Sequence, residues 1–94
     1  MFEERILVSG GITFAIGEFD AVTAGNMSES DPDDREANDV WSHIYAEYQE
    51  EMIHEVVELA YSGMRPEEFN RAVIDVAHSS ALDALDEWRS RLSE

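Results

Sequence analysis

Two histidines of this chain each stand three residues after a carboxylate, in Glu51-x-x-His54 and in Asp75-x-x-His78. On a helix, carboxylate-x-x-His is the spacing with which di-iron carboxylate bundles aim two ligands inward. A second pattern shares the first segment: His43, Glu47, Glu50 and His54, at i, i+4, i+7 and i+11, fall on one stripe. Neighbouring members of that stripe could chelate a divalent ion. Both patterns depend on where a helix would point them. On a wheel of about 100° per residue, His54 lies about 150° from the centre of the apolar arc of its segment. Asp75 lies about 150° from the apolar centre of its own. These groups are therefore expected at the solvent, with no metal and no cofactor, and no catalytic residue is assigned.

Other patterns are partial. The run Glu50-Glu51-x-x-x-Glu55-x-x-Glu58 resembles, over a dozen residues, the carboxylate-rich helices of all-α nucleotide pyrophosphohydrolases. Those enzymes bind magnesium through Glu-Glu-x-x-Glu and a later Glu-x-x-Asp. Here the third acid comes one residue late, the second helix has no matching Glu-x-x-Asp, and no lysine exists to hold phosphates. Asp31-x-Asp33-Asp34 begins like a calcium loop, but Arg35 and Glu36 stand where an EF-hand needs an oxygen ligand and glycine. Gly10-Gly11 has neither the glycine spacing nor the lysine of a phosphate loop.

The composition speaks of solvent more than of reaction. Twenty-two carboxylates stand against six basic residues, all arginine, for a formal charge of −16 on 94 residues. Such a chain repels itself in dilute buffer. In 1 M salt the screening length falls to about 3 Å and the repulsion largely disappears. This composition resembles that of small cytoplasmic proteins of extremely halophilic archaea, a likeness of class that brings no functional family with it. Direct nucleic-acid binding is disfavoured, because phosphate contacts need clustered lysine and arginine. Without cysteine there is no disulfide framework, thiolate or zinc ribbon. Met-Phe-Glu-Glu lacks the basic region of a secretory signal, and Gly10, Gly11, Gly17, Glu18 and Asp20 break the longest apolar stretches. A soluble, cytoplasmic protein with no membrane contact is expected.

With 44% apolar residues, the chain can build one modest core, and 1–94 is read as a single domain. Arg5 to Val8 and Ile12 to Ile16 are short β-type runs on either side of Ser9-Gly10-Gly11, which predicts a β-hairpin within 1–25. Residues 26–38 are expected to form an acidic mobile loop, since their composition cannot bury enough apolar surface to order them. Apolar residues at three- and four-residue spacing then predict helices over 39–62 and 66–92, stopped between by Gly63 and restarted at Pro66. The expected fold is α+β and mostly α: an N-terminal β-hairpin followed by a long αα-hairpin.

The first of these helices has an apolar arc about 180° wide, from Tyr48 through Trp41 and Met52 to Ile53 and Val57. One partner helix covers only part of it. Two copies pairing into a four-helix bundle would hide the rest, so a homo-oligomer is expected, a dimer above all, with a protein partner also possible. Trp41, Tyr45, Tyr48, Met52, Val56, Phe69, Val73 and Trp88 are expected at the core or interface. The functional expectation is a non-catalytic oligomeric interaction or adaptor module of a halophile. Two alternatives stand beside it: a metal-dependent hydrolase of a phosphate-containing metabolite using Glu47, Glu50, Glu51 and Glu55, and an acidic decoy for a basic partner protein.

Overall fold

A computed structural model of the chain describes residues 2–27 and 35–92. It consists of three helices in sequence, α1 (Phe2–Met27), α2 (Arg35–Ala60) and α3 (Pro66–Leu92). The molecule is a rod with extents of 47 × 18 × 18 Å. Phe69 near the start of α3 touches α1 at Gly11, and further along both helices His78 meets Glu18. α1 and α3 therefore run parallel. Trp88 near the end of α3 reaches back to Ala37 at the start of α2, so α2 runs against both.

The N-terminal β-hairpin is not there: the described residues contain no strand, and the α+β expectation is replaced by an all-helical fold. The β reading took Ser9-Gly10-Gly11 for a turn between two short runs. A helix interior tolerates glycine at a cost of about 1 kcal/mol each relative to alanine. Tertiary packing supplies more than that. Along α1, Gly11, Ala15, Phe19 and Thr23 are buried, with Val8, Ile12, Ile16 and Val22 half-buried beside them. These positions recur every three or four residues, which is a helical stripe, and full burial of a side chain such as Phe19 contributes roughly 1.5–3 kcal/mol.

That third helix also removes the reason for a four-helix bundle of two αα-hairpins. α1 lies along the part of the α2 arc that α3 leaves uncovered: Phe19 packs edge-on against Tyr45, with ring centroids 4.9 Å apart. Part of the surface that seemed to need a second subunit is thus covered within the chain, with Trp41, Tyr48, Ile53 and Val57 left half-buried.

The bounds of the elements follow from local chemistry. Residues Asn26 and Met27 continue α1, and Arg35 to Asn38 begin α2, so the acidic segment expected over 26–38 is helical at both ends. Its middle, with the Asp31-Asp33-Asp34 cluster, lies outside the described residues. After Ala60 the helical bonds give way to Ser62 N–H donating to the Leu59 carbonyl at 3.1 Å. Gly63 then takes φ 84°, the left-handed stop that only glycine adopts without strain. α3 opens on Pro66, whose missing N–H is no loss in a first turn, with Glu67 and Glu68 against the positive end of the helix. Arg89 and Arg91 sit in its last turn, where cations are favoured.

Candidate functional site

The sequence-level candidates are spread over outward faces. His43, Glu47, Glu50, Glu51, His54 and Glu55 are all exposed on α2. Asp75 and His78 are exposed on α3, and the Nε2 of His78 lies 3.1 Å from Glu18 Oε2 of α1. The carboxylate-x-x-His pairs thus do not converge on a bundle interior. Among the described residues no group of three or more histidines, cysteines or carboxylates is placed to hold a metal ion.

The aromatic and aliphatic candidates divide by depth. Met52, Val56, Phe69, Val73 and Trp88 are buried. Trp41, Tyr45 and Tyr48 are half-buried and pack against that core. Trp41 bridges two of its rings, with centroids 5.7 Å from Tyr45 and 5.7 Å from Trp88. The indole N–H of Trp88 donates to the Ala37 carbonyl at 3.4 Å.

Hollows among the described residues lie outside this core, two of them lined by acids. One is a groove at the α2–α3 seam lined by Glu55, Glu58, Leu59, Ser62 and Val76. The other, on α3, sets Arg71 among Glu67, Glu68 and Asp75. Both are open and acid-rimmed, as the composition makes most of this surface.

One face differs. On α1 the outward positions Gly10, Thr13, Phe14, Gly17, Ala21 and Ala24 are exposed and uncharged, with the exposed carboxylate of Asp20 beside them. Phe14, a large apolar ring, is 43% exposed there. The hydroxyl of Thr13 is turned back to donate to its own helix, at the Ser9 carbonyl 3.0 Å away. Carboxylates flank the face but are bonded sideways. Glu18 is held to His78 of α3 on one edge. On the other, the Tyr45 hydroxyl of α2 donates to Asp20, and Gln49 Nε2 donates to the Tyr45 oxygen at 3.1 Å.

That second arrangement moves a titration. Partial burial, followed by the hydrogen bond to Asp20 and the charge of that carboxylate, pushes the Tyr45 phenol up to about 12. Desolvation and then Glu87, Asp83 and Glu51 likewise raise Tyr48. Both phenols stay protonated far above neutrality, as donors and not as bases.

The α1 face was not among the sequence-level candidates. Its signal was present as Gly10, Phe14, Gly17, Ala21 and Ala24 at 4-3-4-3 spacing, but that spacing has meaning only on a helix. Among the described residues, this strip of uncharged positions contrasts with the many carboxylates exposed on α2 and α3. No protein-family model, curated protein or solved structure matches the chain.

Proposed function

We propose that this chain is an oligomeric interaction module without catalysis of its own, working in the molar salt of a halophilic cytoplasm. The observation that carries the reading is the run of exposed, uncharged positions Gly10, Phe14, Gly17, Ala21 and Ala24 on a chain of formal charge −16. The outer faces of α2 and α3 display carboxylates that hold water and hydrated cations. The α1 face displays glycine, alanine and a phenylalanine ring, which gain by leaving water. A contiguous exposed apolar surface rimmed by polar groups is the usual mark of a contact site.

The salt dependence follows from the charge. Bringing two such chains together sets many carboxylates near one another, a repulsion that molar salt screens within about 3 Å. Burial of the neutral face is unaffected by that screening. Association is therefore expected in high salt and lost in low salt.

Light scattering with circular dichroism, in about 2–3 M KCl and again at about 0.1 M, tests the reading, since the contrast removes most of the screening. A helical oligomer at high salt that dissociates at low salt is the expected outcome. A folded monomer under both conditions would overturn it.

A further inference from the structure

We propose that α1 is a salt-dependent cover: as salt falls, it lifts from the α2–α3 hairpin before the hairpin itself loses structure. Such a cover acts within one chain and does not depend on association between copies.

The three helices differ in intrinsic strength. α1 carries Gly10, Gly11, Gly17 and Gly25, whereas α2 and α3 contain no glycine. Inside a helix each glycine lowers the helical population roughly two- to fivefold relative to alanine, because its freer backbone loses more entropy. At Gly11 packing offsets that loss, since the ring of Phe69 fills the space a side chain would need. A Cβ on Gly10 or Gly17 would meet no atom within 4 Å, so packing within the chain does not call for glycine there. α1 is therefore a weak helix that holds its form by covering its inner face.

Its attachment is also the lighter one. Phe19 is the large side chain that α1 buries completely, beside Gly11, Ala15 and Thr23. α2 buries Ile44, Met52 and Val56, and α3 buries Phe69, Leu85 and Trp88. These two helices clasp each other without α1. The rings of Trp41 and Trp88 lie 5.7 Å apart, and the Trp88 indole donates to Ala37. The short turn 61–65 keeps the pair side by side. The polar contacts of α1, from Glu18 to His78 and from Asp20 to Tyr45, lie at exposed edges where water competes for the same groups.

Charge supplies the trigger. By sequence, α1 and the hairpin are both net negative, so closing α1 brings like charges together. In 1 M salt the screening length is about 3 Å, well inside the spacing of packed helices. At about 0.1 M it reaches about 10 Å, and repulsion acts across the whole seam. The same repulsion acts between α2 and α3, but there it works against more large buried side chains and a short connection. When α1 lifts, Phe69 loses the cover of Gly11, and Tyr45 loses the Phe19 ring that lay 4.9 Å away. Low salt thus bares an apolar strip that high salt keeps closed.

Amide hydrogen exchange, read by peptide-level mass spectrometry on the full chain from about 3 M KCl down to about 0.1 M, tests the cover. Residues 8–24 are expected to lose protection at higher salt than residues 44–59 and 69–88. The midpoint for 8–24 should not move with protein concentration, which separates opening from dissociation of an oligomer. In Gly10→Ala/Gly17→Ala, exchange of 8–24 should slow roughly fourfold to twenty-fivefold, the product of two glycine factors, with 69–88 unchanged. Loss of protection in all three helices at one salt concentration would overturn the cover. So would full protection of 8–24 down to about 0.1 M, or a double variant that slows α3 as much as α1. A midpoint for 8–24 that shifts with dilution would assign the step to dissociation and overturn it as well. Light scattering reads association separately, so the interaction-module reading stands or falls on its own.

Discussion

Gly11 of α1 lies directly against the ring of Phe69 of α3: a Cβ built on Gly11 would come within 2.5 Å of Phe69 Cε1 and 2.6 Å of its Cζ. Real atoms do not approach so closely, so the phenylalanine occupies the space a side chain would need. The contact sets the register of two parallel helices and lets a fully buried ring sit at their crossing.

Adjacent glycines of α1 should therefore respond with opposite signs. Alanine is the better helix former by about 1 kcal/mol. At Gly10, where a Cβ meets open space, Gly10→Ala should raise stability by roughly 0.5–1 kcal/mol. Gly11→Ala should lower it by about 1–3 kcal/mol through overpacking. Thermal melts of the two variants at one protein concentration decide it, and Phe69→Leu should relieve part of the Gly11→Ala loss. Equal effects at both positions would mean that Phe69 does not pack there.

Trp88 closes the other end of the bundle. It is 2% exposed and holds the start of α2 through Ala37 and Trp41. Trp88→Ala should cost about 3–5 kcal/mol in chemical denaturation. Trp41→Ala should cost less, since that ring is only half-buried. An unchanged midpoint for Trp88→Ala would take Trp88 out of the core.

Alkaline pH should loosen the bundle at one seam. The Tyr45 phenol is raised from 10.0 to about 12 in the folded chain. The folded state then holds a proton that the unfolded state releases, so stability is fully present below pH 10 and falls as pH rises from about 10 to about 12. Tyr45→Phe removes that dependence along with the hydrogen bond to Asp20. Stability followed through this window in both proteins should show a shallower alkaline decline in the variant. Parallel curves would sever the link to Tyr45.

The outward histidines should matter little to folding. His54 is exposed on α2, and His54→Ala should stay within about 0.5 kcal/mol of the parent. His78→Ala also removes the contact with Glu18, an exposed pair for which about 0–1 kcal/mol is typical. Loss of folding, or of bound divalent metal, in His54→Ala would revive the His43–Glu47–Glu50–His54 stripe as a site.

The second half of the chain was legible because its signals are local. The spacing of Trp41, Ile44, Tyr48, Met52 and Val56 has one regular solution, and Gly63 with Pro66 punctuates it on steric grounds alone. α1 was not legible in that way. Ile12 to Ile16 satisfies a short strand as well as a helix, and Ser9-Gly10-Gly11 reads as a turn when local preference is the only evidence. The contact between Gly11 and Phe69, 58 positions apart, is what gives that glycine its meaning.

The candidate surface divides along the same line. That the chain is strongly acidic and lysine-free is a matter of counting residues, and no fold could change it. The wide apolar arc of α2 was equally plain, as was its need for cover. What covers it only the tertiary structure decided, because Phe2–Met27 becomes a helix only by burying Ala15 and Phe19 against α2 and α3. Once α1 is wound and its inner face committed, Gly10, Phe14, Gly17, Ala21 and Ala24 share the outer one. Side chains 4-3-4-3 apart lie together on a helix and scatter over both faces of a strand, so the neutral strip exists by virtue of the packing that made α1 a helix.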